Sequence, residues 1–341
     1  MELLPEDLLA DILHRLSAHD LAAARCVHIS WRAVIDSHRL MQLVPLPLAG
    51  IFLSFNDHAF SELLARPVPP SAKVSGKLHQ YMPTADPVPV ADHCNGLLLL
   101  GCAYVANPAT RRWATLPFPP PSFPASWNGF PRYDYLVFDP AVSPHYEVVT
   151  IPHLPNKGAK MVDTRVDGWE WPPSSMMLPV FSSATNRWEE RWFERQGEAL
   201  GTVAEVRQPW PGDEQYGVYW RGHLYVHHNF IWRFPDYSGQ TPPKDRFEWD
   251  SDSDDVLDKK DTIEGRYREN ITILGFHPHK EVLFLSESMR RGLAYHMNAS
   301  KLQDLGNMYP TRYDDFADPH RLILLAFPYT PCWTVEFPSN N

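Results

Sequence analysis

Leu4-Pro5-Glu6-Asp7-Leu8-Leu9-Ala10-Asp11-Ile12-Leu13-His14-Arg15-Leu16 carries the pattern that decides how the chain begins. Leu8, Leu9, Ile12, Leu13 and Leu16 recur at spacings of three to four, laying a broad aliphatic stripe along one helix face. Glu6, Asp7, Asp11, His14 and Arg15 fall mainly opposite. Pro5 suits a first turn, where its missing N–H costs nothing, and Glu6 and Asp7 favour the positive end of the helix dipole. The stripe predicts a helix over 6–16. Ser17, with Asp20 reaching back, starts a second helix carrying Leu21, Ala24 and Val27. A third carries Trp31, Val34 and Ile35 and ends near His38. Three helices in forty residues are too small to fold securely around a core of their own. The stripe is also richer in large aliphatics than such a bundle needs, so it packs on the body behind it or is completed by a second protein.

Beyond residue 40 the helical period is lost. The 34 prolines are roughly twice the usual share and fall in clusters, which excludes collagen and a mostly helical body. Gly50 to Phe55 reads as a strand and Phe60 to Arg66 as a short helical turn. From residue 90 onward, short strands and turns alternate. Among them are Leu97 to Tyr104, Tyr133 to Phe138, Tyr146 to Ile151, Met176 to Ser182 and Trp188 to Phe193. Ala199 to Val206, Ile231 to Phe234, Ile271 to Phe276, Val282 to Leu285, Leu293 to His296, Leu322 to Ala326 and Trp333 to Phe337 extend the series. Gly217 to Trp220 and His223 to His227 alternate with period two about an Arg221-Gly222 turn. Ala109-Thr110-Arg111-Arg112-Trp113 and Ala184-Thr185-Asn186-Arg187-Trp188 share A-T-x-R-W, each placed to turn a strand back on itself. A repeated sheet closed radially would hide its edges, so the expected body is mainly β and propeller-like. The expected divisions are a helical module over 1–40, a proline-punctuated connection or start of the body over 41–90, and a β domain over 91–337.

Charge and cysteine usage exclude several classes. The chain has 31 basic and 41 acidic side chains, a formal charge of −10, which is the wrong balance for following a phosphate backbone or an anionic membrane. Lys244 to Glu264 holds nine acids against four bases, and within it the acidic run Asp245 to Asp261 is expected to be a mobile insertion rather than a catalytic or calcium loop. Cys26, Cys94, Cys102 and Cys332 form neither a disulfide framework nor a C-x-x-C pair, which suits a reducing compartment. The acidic amino terminus is unlike a signal or transit peptide, and the longest apolar stretch, Leu97 to Ala106, is about half a membrane span. A cytoplasmic or nuclear place is expected.

Chemistry is sparse. The GxSxG, HExxH, phosphate-loop and dinucleotide glycine motifs are absent. His227 and His228 would point to opposite faces of a strand, and His277 and His279 lack a spaced cysteine or carboxylate partner. Asp134, Asp139 and Glu147 lie close in sequence without a defined separation in space. No catalytic residue, metal or cofactor is expected. Among the 12 tryptophans, Trp169 and Trp171 in Asp167-Gly168-Trp169-Glu170-Trp171-Pro172-Pro173 are the leading anchors for a bound protein, two large rings among turn residues.

The amino terminus resembles the F-box, in the plant form LPxDLLxEILxRLPxxDLxxxRxVxKxWRxLI. The matched stretches are Leu4 to Leu16, Asp20 to Val27 and Trp31 to Ile35. Cys94-Asn95-Gly96-Leu97-Leu98, Asn107-Pro108-Ala109-Thr110-Arg111-Arg112-Trp113, Phe138-Asp139-Pro140 and Val180-Phe181-Ser182 resemble segments of the associated domain of plant F-box proteins. The resemblance implies the non-catalytic substrate receptor of an SCF ubiquitin ligase. Its F-box would dock on a Skp1-like adaptor, and through it on a cullin scaffold, while the β domain binds an unknown protein substrate. By position, Leu4, Pro5, Leu8, Ile12, Leu13, Leu16, Leu21, Val27, Trp31 and Ile35 are the adaptor-binding or module-forming residues it implies. Ile29 departs from the pattern, standing where lysine is common, and would weaken the adaptor contact or be buried on the body. The alternative is a glycan-binding or scaffold protein with a helical cap. The leucine stripe favours the receptor, and the aromatic loops fit either.

Overall fold

The computed structural model describes residues 4–43, 48–56, 58, 60–65, 74, 76–83, 88–101, 103–119, 129–155, 166–207, 216–220, 222–227, 271–277, 280–287, 291–309, 323–333 and 337. Helix α1 (Glu6–Leu13) starts after Pro5 and stops one turn sooner than the stripe suggests. Arg15 N–H donates to Ile12 O at 3.3 Å and Leu16 N–H to Leu13 O at 3.0 Å, the tightened bonding that closes a helix end. This frees Ser17 to cap α2 (Ala18–Val27), its Oγ accepting from Asp20 N–H at 3.1 Å. His28, extended at φ −147°, separates α2 from α3 (Ile29–Ser37), and its Nδ1 accepts from Ser30 N–H at 3.1 Å. A fourth helix, α4 (Leu40–Leu43), follows Arg39 at φ 50° and is an addition to the three that the sequence predicts. Ala10, Leu13, Leu21, Ala24, Val34, Ile35 and Leu40 form a shared apolar core, with Leu9, Leu16 and Met41 packed against it. Arg25 clamps α2 to α3 through two bonds to Asp36, at 2.8 and 3.2 Å.

The strands then run, in chain order, β1 (Gly50–Phe55), β2 (Glu62–Ala65), β3 (Val90–Cys94), β4 (Leu97–Leu100), β5 (Tyr104–Asn107) and β6 (Arg112–Thr115). They continue with β7 (Arg132–Val137), β8 (Glu147–Pro152), β9 (Glu170–Trp171), β10 (Ser175–Ser182) and β11 (Arg187–Glu194). β12 (Gly201–Thr202) leads into α5 (Val203–Val206), and β13 (Tyr216–Trp220) pairs with β14 (His223–His227). The last are β15 (Ile271–Phe276), β16 (Val282–Glu287), β17 (Arg291–His296), β18 (Lys301–Asn307) and β19 (Ile323–Tyr329).

The chain divides into two compact units, one of residues 1–89, 107–112 and 233–334, the other of residues 90–106, 113–232 and 335–341. In the first, besides the helices, β1 lies between β2 and β19, antiparallel to both, with Gly50 opposite Ala65 and Tyr329. Phe52 stacks on Phe327, ring centres 5.3 Å apart. A four-stranded antiparallel meander, β15-β16-β17-β18, shares a core with this sheet through Ile51, Leu53, Leu274, Phe284 and Leu305. The second unit holds the meanders β3-β4-β5-β6 and β7-β8-β10-β11, with the β5–β6 turn belonging to the first unit, and the small pairs β9/β12 and β13/β14. All four residues of β4 are buried, as are Leu136, Val148, Val180 and Phe181 in the neighbouring meander.

Each meander ends on the same hairpin. The turns at 108–111, 183–186 and 297–300 connect β5 to β6, β10 to β11 and β17 to β18, and each last turn residue is left-handed: Arg111 at φ 55°, Asn186 at 53° and Ser300 at 50°. The A-T-x-R-W motif is therefore a turn whose x position must turn left. Between β3 and β4, Asn95 and Gly96 take φ 44° and 87°, the pair of left-handed residues that a tight two-residue hairpin requires.

Several expectations are corrected. Phe60 to Arg66 contains strand β2, not a helical turn. Leu97 to Tyr104 is broken at Gly101, φ 51°, into β4 and the start of β5. Ala199 to Val206 gives only β12 before Glu205 reaches back to Thr202 N–H at 2.8 Å and starts α5. Of Trp333 to Phe337, Trp333 and Phe337 are not strand, and residues 334–336, Ile231 to Phe234, the acidic run Asp245 to Asp261, His228, His279 and Cys102 lie outside the described residues. The body is mainly β, in several open antiparallel sheets among the described residues.

Candidate functional site

The stripe of α1 splits when the helix packs. Leu13 faces inward with Leu21 and Ile35, all three buried, and Leu16, beyond the helix end, packs against the same core. Leu4, Leu8 and Ile12, four residues apart, point outward; Leu8 and Ile12 are each 48% exposed. Leu8, Ile12 and Leu16 are thus not one continuous outer row. At the α2–α3 break the extended His28 leaves Val27, the last residue of α2, and Ile29, the first of α3, both open to solvent. Ile29 is 82% exposed, so it is not covered by the body. Trp31 and Pro5 are also exposed. Six large apolar side chains therefore stand outside a core that is already closed, and the helical period does not say which residues of so wide a stripe face out.

The two rings of 169–171 have different places. Val166 to Trp169 is a turn, Trp169 N–H donating to Val166 O at 3.0 Å, and the Trp169 ring is 40% exposed. Trp171 is 1% exposed and stacks on Phe130 at 6.0 Å, in a cluster with Val166 and Val203. It is a core residue, because β9 alternates outward Glu170 with inward Trp171. Glu170 binds Arg195 at 3.0 Å, and Arg195 also donates to Pro172 O at 2.6 Å, which fixes the turn to the end of β11.

The polar residues that could suggest chemistry each have a structural task. Asp134 accepts from Thr150 Oγ1 at 2.6 Å, Asp139 from Ala141 N–H at 2.9 Å, and Glu147 takes both terminal nitrogens of Arg191 at 2.9 and 2.7 Å. Burial pushes the Cys94 thiol up to about 12, and its Sγ donates to Phe138 O at 3.2 Å, leaving it no thiolate for attack. Asp92, which no sequence motif marks, is a buried carboxyl accepting from Leu136 N–H at 2.7 Å. His277 is buried, and its Nδ1 accepts from Lys280 N–H at 3.1 Å. Among the described residues no group of three or more His, Cys, Asp or Glu could hold a metal ion, and no helix is long and apolar enough to cross a membrane.

The helical module is of a known kind: the F-box domain family matches residues 1–43. The chain is also similar to an Arabidopsis thaliana protein named as a putative F-box/kelch-repeat protein, at 29% identity over 124 residues. That match covers 33% of this chain and 28% of the relative, so the chain spans less than a third of the length of the curated relative it matches.

Proposed function

We propose that this protein is a substrate-recognition subunit of an SCF-type ubiquitin ligase. Its F-box binds a Skp1-like adaptor, which joins it to a cullin scaffold, and the β body holds a protein substrate. The chain performs no reaction itself; ubiquitin transfer belongs to partner enzymes in the cytoplasm or nucleus. The observation that carries this reading is the exposed set Leu4, Leu8, Ile12, Val27, Ile29 and Trp31, standing outside the closed core of an F-box domain. Large aliphatics left in water gain about 25 cal/mol for each Å² that a partner covers. We take the body to be propeller-like, the meanders being its blades, on the strength of their common final hairpin. Trp169, on a turn of a rigid scaffold, is the retained anchor candidate for substrate.

The test is binding of purified Skp1 to the full chain by calorimetry. Leu8→Ala with Ile12→Ala should weaken binding by at least about tenfold, since each site surrenders on the order of 1 kcal/mol of coverable surface. Thermal unfolding should stay within about two degrees of the parent, because neither side chain is in the core. Parent-like affinity in the folded double variant would remove the adaptor assignment.

A further inference from the structure

The last strands of the three meanders differ in what they leave open. β6 and β18 expose no large hydrophobic side chain, whereas β11 exposes Trp192, at 70%, and Phe193. β11 ends its sheet, with β10 its only strand neighbour among the described residues. All eight of its residues pair with β10 without a register break, from Arg187 opposite Ser182 to Glu194 opposite Ser175. A straight strand of that length presents roughly 25 Å of outward ladder groups.

Its side chains sort by alternation. Trp188, Glu190, Trp192 and Glu194 share one face, since opposed residues share a face and Trp188 lies opposite Phe181. Trp188 is fastened, its ring 5.7 Å from Phe181 and its Nε1 donating to Pro117 O at 2.7 Å. Trp192 has no such fastening among the described residues. Glu190 and Glu194, two residues to either side of it, have no ion pair there either. The neighbouring cations are occupied: Arg191 by Glu147 and Arg195 by Glu170. Among the described residues the open charge on this face is wholly negative and brackets an open indole.

We propose that the outer edge of β11 is a docking edge for an extended basic segment of a partner protein. The segment adds as a fifth strand and lays a Lys or Arg side chain on Trp192 between Glu190 and Glu194. Main-chain pairing supplies the contact and the alternate side chains supply the choice of sequence. A cation over an indole ring is attracted to its face, and the two carboxylates strengthen that attraction. A second copy of this chain fits poorly. An isologous antiparallel pairing sets each face against itself, and among the described residues this face offers two glutamates and no open cation to answer them. The proposal deepens the substrate-receptor reading by naming a substrate class. Its test uses no adaptor, so either can fail alone.

The probe is a labelled heptapeptide of alternating Lys and Val, its Glu/Val counterpart, and a Lys/Val version N-methylated on alternate amides. Each is titrated into the full chain by fluorescence anisotropy at salt of about 50 mM and about 300 mM. The Lys/Val peptide should bind, weaken with salt, and lose roughly tenfold or more of its affinity in Trp192→Ala and in Glu190→Gln with Glu194→Gln. All three sites are exposed, so these variants should unfold at the parent's temperature. Removing the same charge elsewhere, by Asp11→Asn with Glu281→Gln, should leave binding unchanged, and the N-methylated peptide should not bind. Equal loss in the Asp11/Glu281 variant, equal binding of the Glu/Val or methylated peptide, or unaltered binding by the β11 variants would overturn the proposal. So would a parent dimer in sedimentation that Trp192→Ala dissociates, since that gives the edge to a second copy.

Discussion

Replacing Asp92 by asparagine should remove a titration that the fold holds far from its ordinary range. Asp92 lies on β3 with 6% of its surface exposed. Burial pushes its carboxyl up to about 7 from an ordinary 3.8, against the downward pull of the backbone N–H groups of Leu136 and His93. Between these values the native state holds a proton that the unfolded chain has released. Stability from this group is therefore fully present below about pH 4 and is lost as pH rises through about 7. At about 1.36 kcal/mol per pH unit, the loss between about pH 5 and about pH 8 is roughly 3 kcal/mol. The asparagine amide would still offer an oxygen to Leu136 N–H and would not titrate. The assay is guanidinium unfolding followed by tryptophan fluorescence, parent and Asp92→Asn side by side across that range. Taking the difference cancels the histidines common to both. The difference should move by roughly 3 kcal/mol in favour of the variant as pH rises, most of it below about pH 7. A difference that stays flat would refute the claim that this carboxyl is protonated in the fold. A move in the opposite direction would mean that the fold holds it ionised.

Trp171→Ala should lower stability by about 3–5 kcal/mol, whereas Trp169→Ala should change it by less than about 1 kcal/mol. Equal losses in denaturant midpoint would put both rings in the core. Arg111 is exposed at φ 55°, so Arg111→Gly should relieve left-handed strain and raise stability by roughly 0.5–1 kcal/mol. A fall in the unfolding temperature would show that the Arg111 side chain contributes more than its backbone conformation costs.

Local signals are legible in the sequence and distant ones are not. The Ser17 cap, the break near His38 and the β13–β14 hairpin are readable because their causes lie within a few residues. The helical period places Leu13 and Ile12 on one stripe, but which of them faces out depends on α2 and α3, which it cannot contain. Leu16 falls in the outer row by spacing alone, because the tightened turn after Leu13 leaves no mark on the period. Val203 and Val206 suggest a strand, while the Thr202–Glu205 capping box starts α5 there instead. Two of the three final hairpins share A-T-x-R-W. The third, at Asn298-Ala299-Ser300-Lys301-Leu302, keeps only a basic fourth residue, because the turn constrains backbone conformation and tolerates Arg, Asn or Ser at the left-handed position. Asp92 and Trp192 carry no local signal at all; their surroundings come from β7 and β10.

The pairing of β1 with β19 sets a timetable for synthesis. Gly50 and Ile51 leave the ribosome long before their partners Tyr329 and Pro328. At about 5–20 residues per second the interval is tens of seconds. Throughout it, the nascent chain holds a strand whose Ile51, Phe52, Leu53 and Phe55 are destined for burial, with at most β2 beside it. A transcript cut short before residue 323 would never supply the third strand. Such a product would keep its helical module and an uncovered apolar edge, the kind of surface that chaperones and proteases engage. Only chains that reach β19 complete this sheet, so that strand acts as a check on the synthesis of everything between Gly50 and Tyr329.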